Sequence, residues 1–211
     1  MKIGILAVQG GVAEHERTLR QVAEKYRDNS DSSWGNLEIV LVRRAEHLEG
    51  INGLILPGGE STTMSRLLTL SGMDTLLKEA LDAGLPAYGT CAGMILLASN
   101  VLDTRPDAIW LSALDITVRR NAFGRQRDSF EADLTFTGID ELVHATFIRA
   151  PIVEDVSDKV EVLCREPEGR IVGVRQGRVL ATSFHPEVSG ITDVHEYFLS
   201  MCEDANFTYT A

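Results

Sequence analysis

The 211-residue chain has little cysteine: Cys91, Cys164 and Cys202 stand far apart, with no Cys-x-x-Cys pair and no histidine beside them at metal-ligand spacing. Neither a disulfide framework nor a zinc site is indicated, and no metal or other cofactor is expected. Long apolar runs are also missing, and none approaches the roughly 18 residues needed to cross a bilayer. Residues 1–5 lead straight into a short strand-like stretch, too short for the apolar core of a secretion signal, so a reducing, cytoplasmic setting is expected. Basic charge is the third deficit. Twenty Lys and Arg face 31 Asp and Glu, a formal net charge of −11 that repels phosphate backbones and anionic headgroups and makes nucleic acid and membrane poor partners. The nucleotide signatures GxGxxG and GxxxxGK[ST] are absent, as are internal repeats and low-complexity tracts.

What is present suits a globular α/β chain. Hydrophobic residues make up 44% and charged residues 24%, and the length allows one domain over residues 1–211 with a full core. Residues 2–8 form a nearly continuous apolar run ended by Gln9-Gly10-Gly11, which reads as a buried parallel strand turning into a helix over 12–26. A polar, turn-rich excursion follows over 27–36, then a strand over 38–42. The apolar run 54–56 stops at Pro57-Gly58-Gly59, where Ser61 or Thr62 can cap a helix reaching residue 70. A helix is expected over 73–83, a short strand over 86–89 and a helix over 94–99. Alternating segments at 114–118 and 130–134, then strands at 160–164, 171–175 and 179–183, with Gln176-Gly177 as a hairpin turn, point to antiparallel additions. A last helix over 193–201 completes a mixed three-layer α/β sheet.

The chemistry concentrates at three places. Gly89-Thr90-Cys91-Ala92-Gly93 has the form of a nucleophile elbow, in which small neighbours let a strained strand-to-helix turn lift one side chain clear of the sheet. Cys91 would be the nucleophile, since the partial positive charge of a helix N-terminus favours a thiolate; the competing reading is a small buried cysteine. In Ser183-Phe184-His185-Pro186-Glu187, His185 can shuttle the proton, and residues two apart in an extended segment share a face, so Glu187 can orient the ring. Leu56-Pro57-Gly58-Gly59-Glu60-Ser61 offers free backbone N–H groups to an oxyanion; a phosphate loop and a plain strand–helix turn are the alternatives. The other histidines have no such partner nearby. His15 and His195 fall on expected helices and His47 and His144 in polar loops, all read as solvated or partly packed, while Cys164 and Cys202 read as core thiols.

Together these blocks resemble the class I, triad-type glutamine amidotransferases, and within them the branch of glutaminase subunits that serve pyridoxal 5′-phosphate synthase. The resemblance also runs through Ala7-Val8-Gln9-Gly10-Gly11-Val12 with Glu14-His15 and through Asp128-Ser129-Phe130-Glu131, and the segments that narrow it are Arg120-Asn121-Ala122-Phe123-Gly124-Arg125-Gln126 and Phe147-Ile148-Arg149-Ala150-Pro151. The resemblance implies a flavodoxin-like three-layer αβα sandwich and hydrolysis of L-glutamine to glutamate and ammonia by a Cys91–His185–Glu187 triad. It further implies an oxyanion hole at Gly59 and Ala92, a glutamine pocket lined by Gly59, Glu60, Ser61, Arg120, Ile148 and Arg149, and Gln9 at the interface with a (β/α)8-barrel synthase subunit, PdxS. The sequence departs from the family pattern in its long 27–36 excursion, in Gly11 where alanine is common, and in Ser112 where glycine is usual. Two rivals remain: an amidotransferase serving another synthase, such as the one making imidazole glycerol phosphate, and a non-catalytic flavodoxin-like module with a vestigial elbow.

Overall fold

The computed structural model of the protein describes residues 1–30, 32–120 and 129–210; Asn121 to Gln126 of the arginine-led block, and Asp128, lie outside them. The first half of the chain alternates strand and helix. It runs β1 (Lys2–Leu6), α1 (Val12–Lys25), β2 (Glu38–Val42), β3 (Gly53–Leu56), α2 (Ser61–Ser71), α3 (Met73–Asp82), β4 (Ala87–Thr90) and α4 (Ala92–Leu97). The second half is richer in strands: β5 (Ala98–Leu102), β6 (Leu114–Arg119), β7 (Ser129–Phe136), β8 (Ile139–Ile148), β9 (Ile152–Val156), β10 (Glu161–Arg165), β11 (Ile171–Gln176) and β12 (Val179–Thr182). Two helices, α5 (Pro186–Ser189) and α6 (Asp193–Ala205), follow.

The strands join in one mixed sheet ordered β2-β1-β3-β4-β12-β11-β10-β7-β8, with β5, β6 and β9 pairing off that path. From β2 to β12 the pairings are parallel; β11, β10, β7 and β8 continue antiparallel. Parallel strands covered on both faces need apolar residues at every position, and the sequence provides them. In β3, Leu54 and Leu56 face one core with Leu68 of α2 and Leu77 of α3, while Ile55 faces the other with Leu19 of α1 and Phe198 of α6. In β1, Ile3 and Ile5 point to that second core and Leu6 to the first. The period-2 alternation therefore builds helix, sheet and helix layers.

The chain leaves β1 for β2 on one side and reaches β3 on the other. Strand order thus reverses between β1 and β3, and in such sheets ligands settle in the crevice beyond the carboxyl ends of the strands at that reversal. Gln9 to Gly11, Pro57 to Glu60, Cys91 and His185 all stand at carboxyl ends of β1, β3, β4 and β12.

Three local expectations change. The helix expected over 94–99 stops at Leu97, because Ala98 turns extended (φ −65°, ψ 148°) and β5 pairs with β6. His144 sits in β8, not a loop: Val143, Ala145 and Phe147 alternate into the core and set His144 opposite Asp133. The 27–36 excursion is partly packed, with Trp34 meeting the Tyr26 ring edge-on at 4.9 Å between centroids.

Candidate functional site

Cys91 separates β4 from α4 with φ 49° and ψ −102°, a backbone conformation that is costly for a residue with a side chain. The turn is held from both sides. Cys91 N–H donates to Thr182 O of β12 at 2.8 Å, and its carbonyl accepts from Ile95 N–H at 3.2 Å. Gly93 lets α4 lie directly on Leu56 O of β3, where any Cβ would collide. The strain aims the sulfur into a cavity of about 500 Å³.

His185 follows β12 and immediately precedes α5, whose first residue is Pro186. The His–Glu contact is therefore made differently from the expected extended segment: Glu187 lies in the first turn of a short helix, and the bend brings its Oε1 to 2.8 Å from His185 Nδ1. On the other side Cys91 shares the cavity wall with His185, and its side chain is among the causes that raise the imidazole pKa. Gly58 makes room for the pair, since a Cβ there would strike the His185 ring and lie 3.4 Å from the Cys91 Cβ. Burial disfavours a charged imidazole, but the hydrogen bonds and negative charge of Cys91 and Glu187 outweigh it and push His185 up to about 10. Burial likewise opposes ionisation of Glu187, and the facing His15 and His185 rings reverse this, holding the carboxyl below its ordinary range.

Gly59, Glu60, Ser61, Arg120, Ile148 and Arg149 all line the cavity with Cys91 and His185. Arg149 holds φ 47°, a second strained residue on the wall. The Glu60 carboxylate is engaged: it accepts from Thr62 N–H at 3.0 Å and Thr63 N–H at 2.7 Å, capping α2, and lies 3.3 Å from Arg120 Nη2. This cap leaves Glu60 less free for a substrate ammonium than its charge suggests, and it ties Arg120 to the loop. The Gln9 side chain accepts from Glu60 N–H at 2.9 Å, and Gly11 N–H donates to Gly58 O at 2.9 Å, so the turn after β1 braces the turn after β3. Ala92 is buried beside Cys91 at the start of α4.

Sequence reasoning missed the far side of Glu187. His15 and His195, expected to be solvated or partly packed, are fully buried and 2.9 Å apart, and His15 Nε2 lies 3.5 Å from Glu187 Oε1. Burial outweighs the attraction of Glu187 and lowers His15; burial, reinforced by His15, pushes His195 down to about 3. The spacing Glu14-His15 after the Gln-Gly-Gly turn was the available signal, but only a partner 180 residues away gives it meaning.

Residues 5–204 match the model of the SNO glutamine amidotransferase family. The chain is 58% identical over 201 residues to a Corynebacterium jeikeium protein named pyridoxal 5′-phosphate synthase subunit PdxT, covering 95% of this chain and 96% of that one. A Mycobacteroides abscessus protein of the same name is 55% identical, covering 94% and 96%. A crystal structure described as a glutamine amidotransferase superposes with a TM-score of 0.84 at 40% identity, covering 95% of this chain and 98% of the other. A chain from the structure of PurLQS of Thermotoga maritima, at TM-score 0.62 and 16% identity over 94% and 97% of the two chains, shares the fold.

Proposed function

The chain belongs to the SNO glutamine amidotransferase family, and from that premise we propose that it is the glutaminase subunit of a pyridoxal 5′-phosphate synthase, with Cys91, His185 and Glu187 as its catalytic triad. The whole of residues 1–211 acts as one glutaminase domain. The observation that carries the chemical reading is the strained elbow: Cys91 held at positive φ beside a buried His185 whose Nδ1 is 2.8 Å from Glu187.

In this reading the Cys91 sulfur attacks the side-chain carboxamide carbon of L-glutamine. The oxyanion that forms is met by the N–H groups of Gly59 and Ala92. His185 gives its Nε2 proton to the departing ammonia, leaving a γ-glutamyl thioester; the now neutral ring then takes a proton from water, which attacks the thioester and frees glutamate. Glu187 stays ionised and fixes the ring. Arg120 and Arg149 suit the substrate carboxylate, since guanidinium groups bind carboxylates in a planar, charge-assisted way. Ile148 and Ser61, the first residue of α2, border the same pocket.

The partner is a synthase subunit of the (β/α)8-barrel type that uses the ammonia, docking where Gln9 braces the oxyanion loop. The setting is cytoplasmic; among the described residues no helix is long and apolar enough to cross a membrane. The test is Cys91→Ala assayed for ammonia release from glutamine with the synthase subunit present. Turnover should fall to background, and retained turnover would overturn the assignment. Offering several synthase subunits and observing which forms product from glutamine decides the partner.

A further inference from the structure

The geometry points to His15 as a positioning residue of this site: it donates its Nε2–H toward Thr90 and Glu187, while His195 fixes its tautomer from behind. The inference rests on the triad reading and adds a layer to it. Glu187 Oε2 is buried without a partner among the described residues, so the carboxylate is held through Oε1 alone. Three groups converge there: His185 Nδ1 at 2.8 Å, Thr90 Oγ1 at 3.3 Å and His15 Nε2 at 3.5 Å.

Counting protons settles who donates to whom. Thr90 Oγ1 has one hydrogen and two lone pairs. One lone pair accepts Gly58 N–H at 2.9 Å. His15 Nε2 stands 3.1 Å away. Were that nitrogen bare, it would take the Thr90 proton, and Glu187 Oε1 would face lone pairs from both neighbours. With the proton on His15 Nε2, the second Thr90 lone pair is filled, the hydroxyl hydrogen is free for Glu187, and His15 itself leans a positive edge toward the carboxylate.

A neutral His15 then presents a bare Nδ1, which must accept from His195 Nε2 at 2.9 Å. This leaves His195 Nδ1 as a buried bare acceptor with no partner among the described residues; the opposite order would bury an unpaired N–H there, the costlier defect. The series His195 to His15 to Thr90 and Glu187 thus has one polarity, directed at the carboxylate that orients His185. The same Thr90 oxygen holds Gly58 of the oxyanion loop, so one hydroxyl sets both the carboxylate and the loop backbone. Partners that orient metal-ligating side chains are typically worth about 10- to 100-fold in activity, and an effect of that order is expected for a carboxylate that orients a catalytic imidazole.

The test compares His15→Leu, His15→Gln and Cys91→Ala in complex with the synthase subunit. His15→Leu should lower kcat roughly 10-fold or more with KM nearly unchanged. His15→Gln, whose amide N–H reaches the position of Nε2, should restore most of it. Wild-type kcat in His15→Leu, or equal losses in the Leu and Gln variants, would overturn the inference. Retained activity in Cys91→Ala would instead sink the triad reading, so the two failures are distinguishable. If His15→Leu does not fold, nitrogen-15 histidine spectra of the wild-type protein decide: both His15 and His195 should be neutral with the proton on Nε2, and a proton on Nδ1 of His15 would overturn the assignment.

Discussion

The two sides of Glu187 use the same residue type to opposite ends. Toward the cavity, His185 lies between a sulfur and a carboxylate and is pushed up to about 10; away from it, His15 and His195 are lowered by dry surroundings. One oxygen, Oε1, faces both sides. The lesson is that burial alone does not decide a histidine's charge. For His185 the hydrogen bonds and charge interactions with Glu187 and Cys91 outweigh it, whereas the attraction of Glu187 and Glu14 for His15, and of Glu187 for His195, does not. The cysteines repeat the contrast: Cys91 opens to the cavity, while burial raises Cys164 to about 12 and raises Cys202 further still.

The largest effect that breaks this contrast is loss of the shared charge. Glu187→Gln keeps the size and an acceptor for the His185 N–H but removes the anion. Ammonia release with the synthase subunit present should fall roughly a hundredfold or more in kcat. Its pH profile should change as well. Glu187 is among the causes that raise His185, so without its charge the His185 proton leaves at lower pH and the alkaline limit of activity moves down. An unmoved alkaline limit would mean that Cys91 alone holds the His185 proton.

The cavity side was largely readable from the chain itself, and the dry side was not. Short, nearly continuous apolar runs placed β1 and β3, the small residues around Cys91 announced the elbow, and His185 and Glu187 are two residues apart in sequence. Even there the local conformation differed, since Pro186 begins a helical turn where an extended segment was expected. A lone histidine on a helix carries no such local mark. The burial of His15 depends on α1 and α6 packing over the same strand, with the Tyr88 ring edge-on to both imidazoles at 6.3 Å and 5.6 Å. His144 failed for a related reason: its polar side faces Asp133 across β7, and the apolar alternation that makes β8 begins only at Val143.

A smaller effect sharpens the dry side. His195 has its folded pKa lowered from 6.5 to about 3, so on acidification the unfolded chain takes a proton there that the folded chain refuses. Stability must then fall as pH drops below the unfolded value. Between pH 7 and pH 5 this residue should cost about 2 kcal/mol, a loss that His195→Leu escapes. Glu187 works with the opposite sign: its folded pKa is depressed, so its contribution is intact above the unfolded carboxyl value near 4.5 and is lost only below it, outside this window. Urea unfolding of wild type and His195→Leu at both pH values isolates the term. Parallel losses in the two proteins would show that His195 takes up its proton in the folded state.

The smallest effect concerns the wall behind both rings. Tyr88 is fully buried and its hydroxyl lies 3.1 Å from Thr182 Oγ1, which itself donates to Phe184 O at 3.1 Å. Thr182 has one proton, so Tyr88 must be the donor. Tyr88→Phe removes that donor and leaves Thr182 with its own bond made, a loss of about 1 kcal/mol. For a chain of this size that is a drop in melting temperature of about 2 to 4 °C. The ring, which the two histidines pack against, is unchanged, and no bond to Glu187 is touched. kcat with the synthase subunit should therefore stay at the wild-type value; a fall beyond about threefold would show that the Tyr88 hydroxyl reaches the chemistry through Thr182 and the Cys91 backbone it supports.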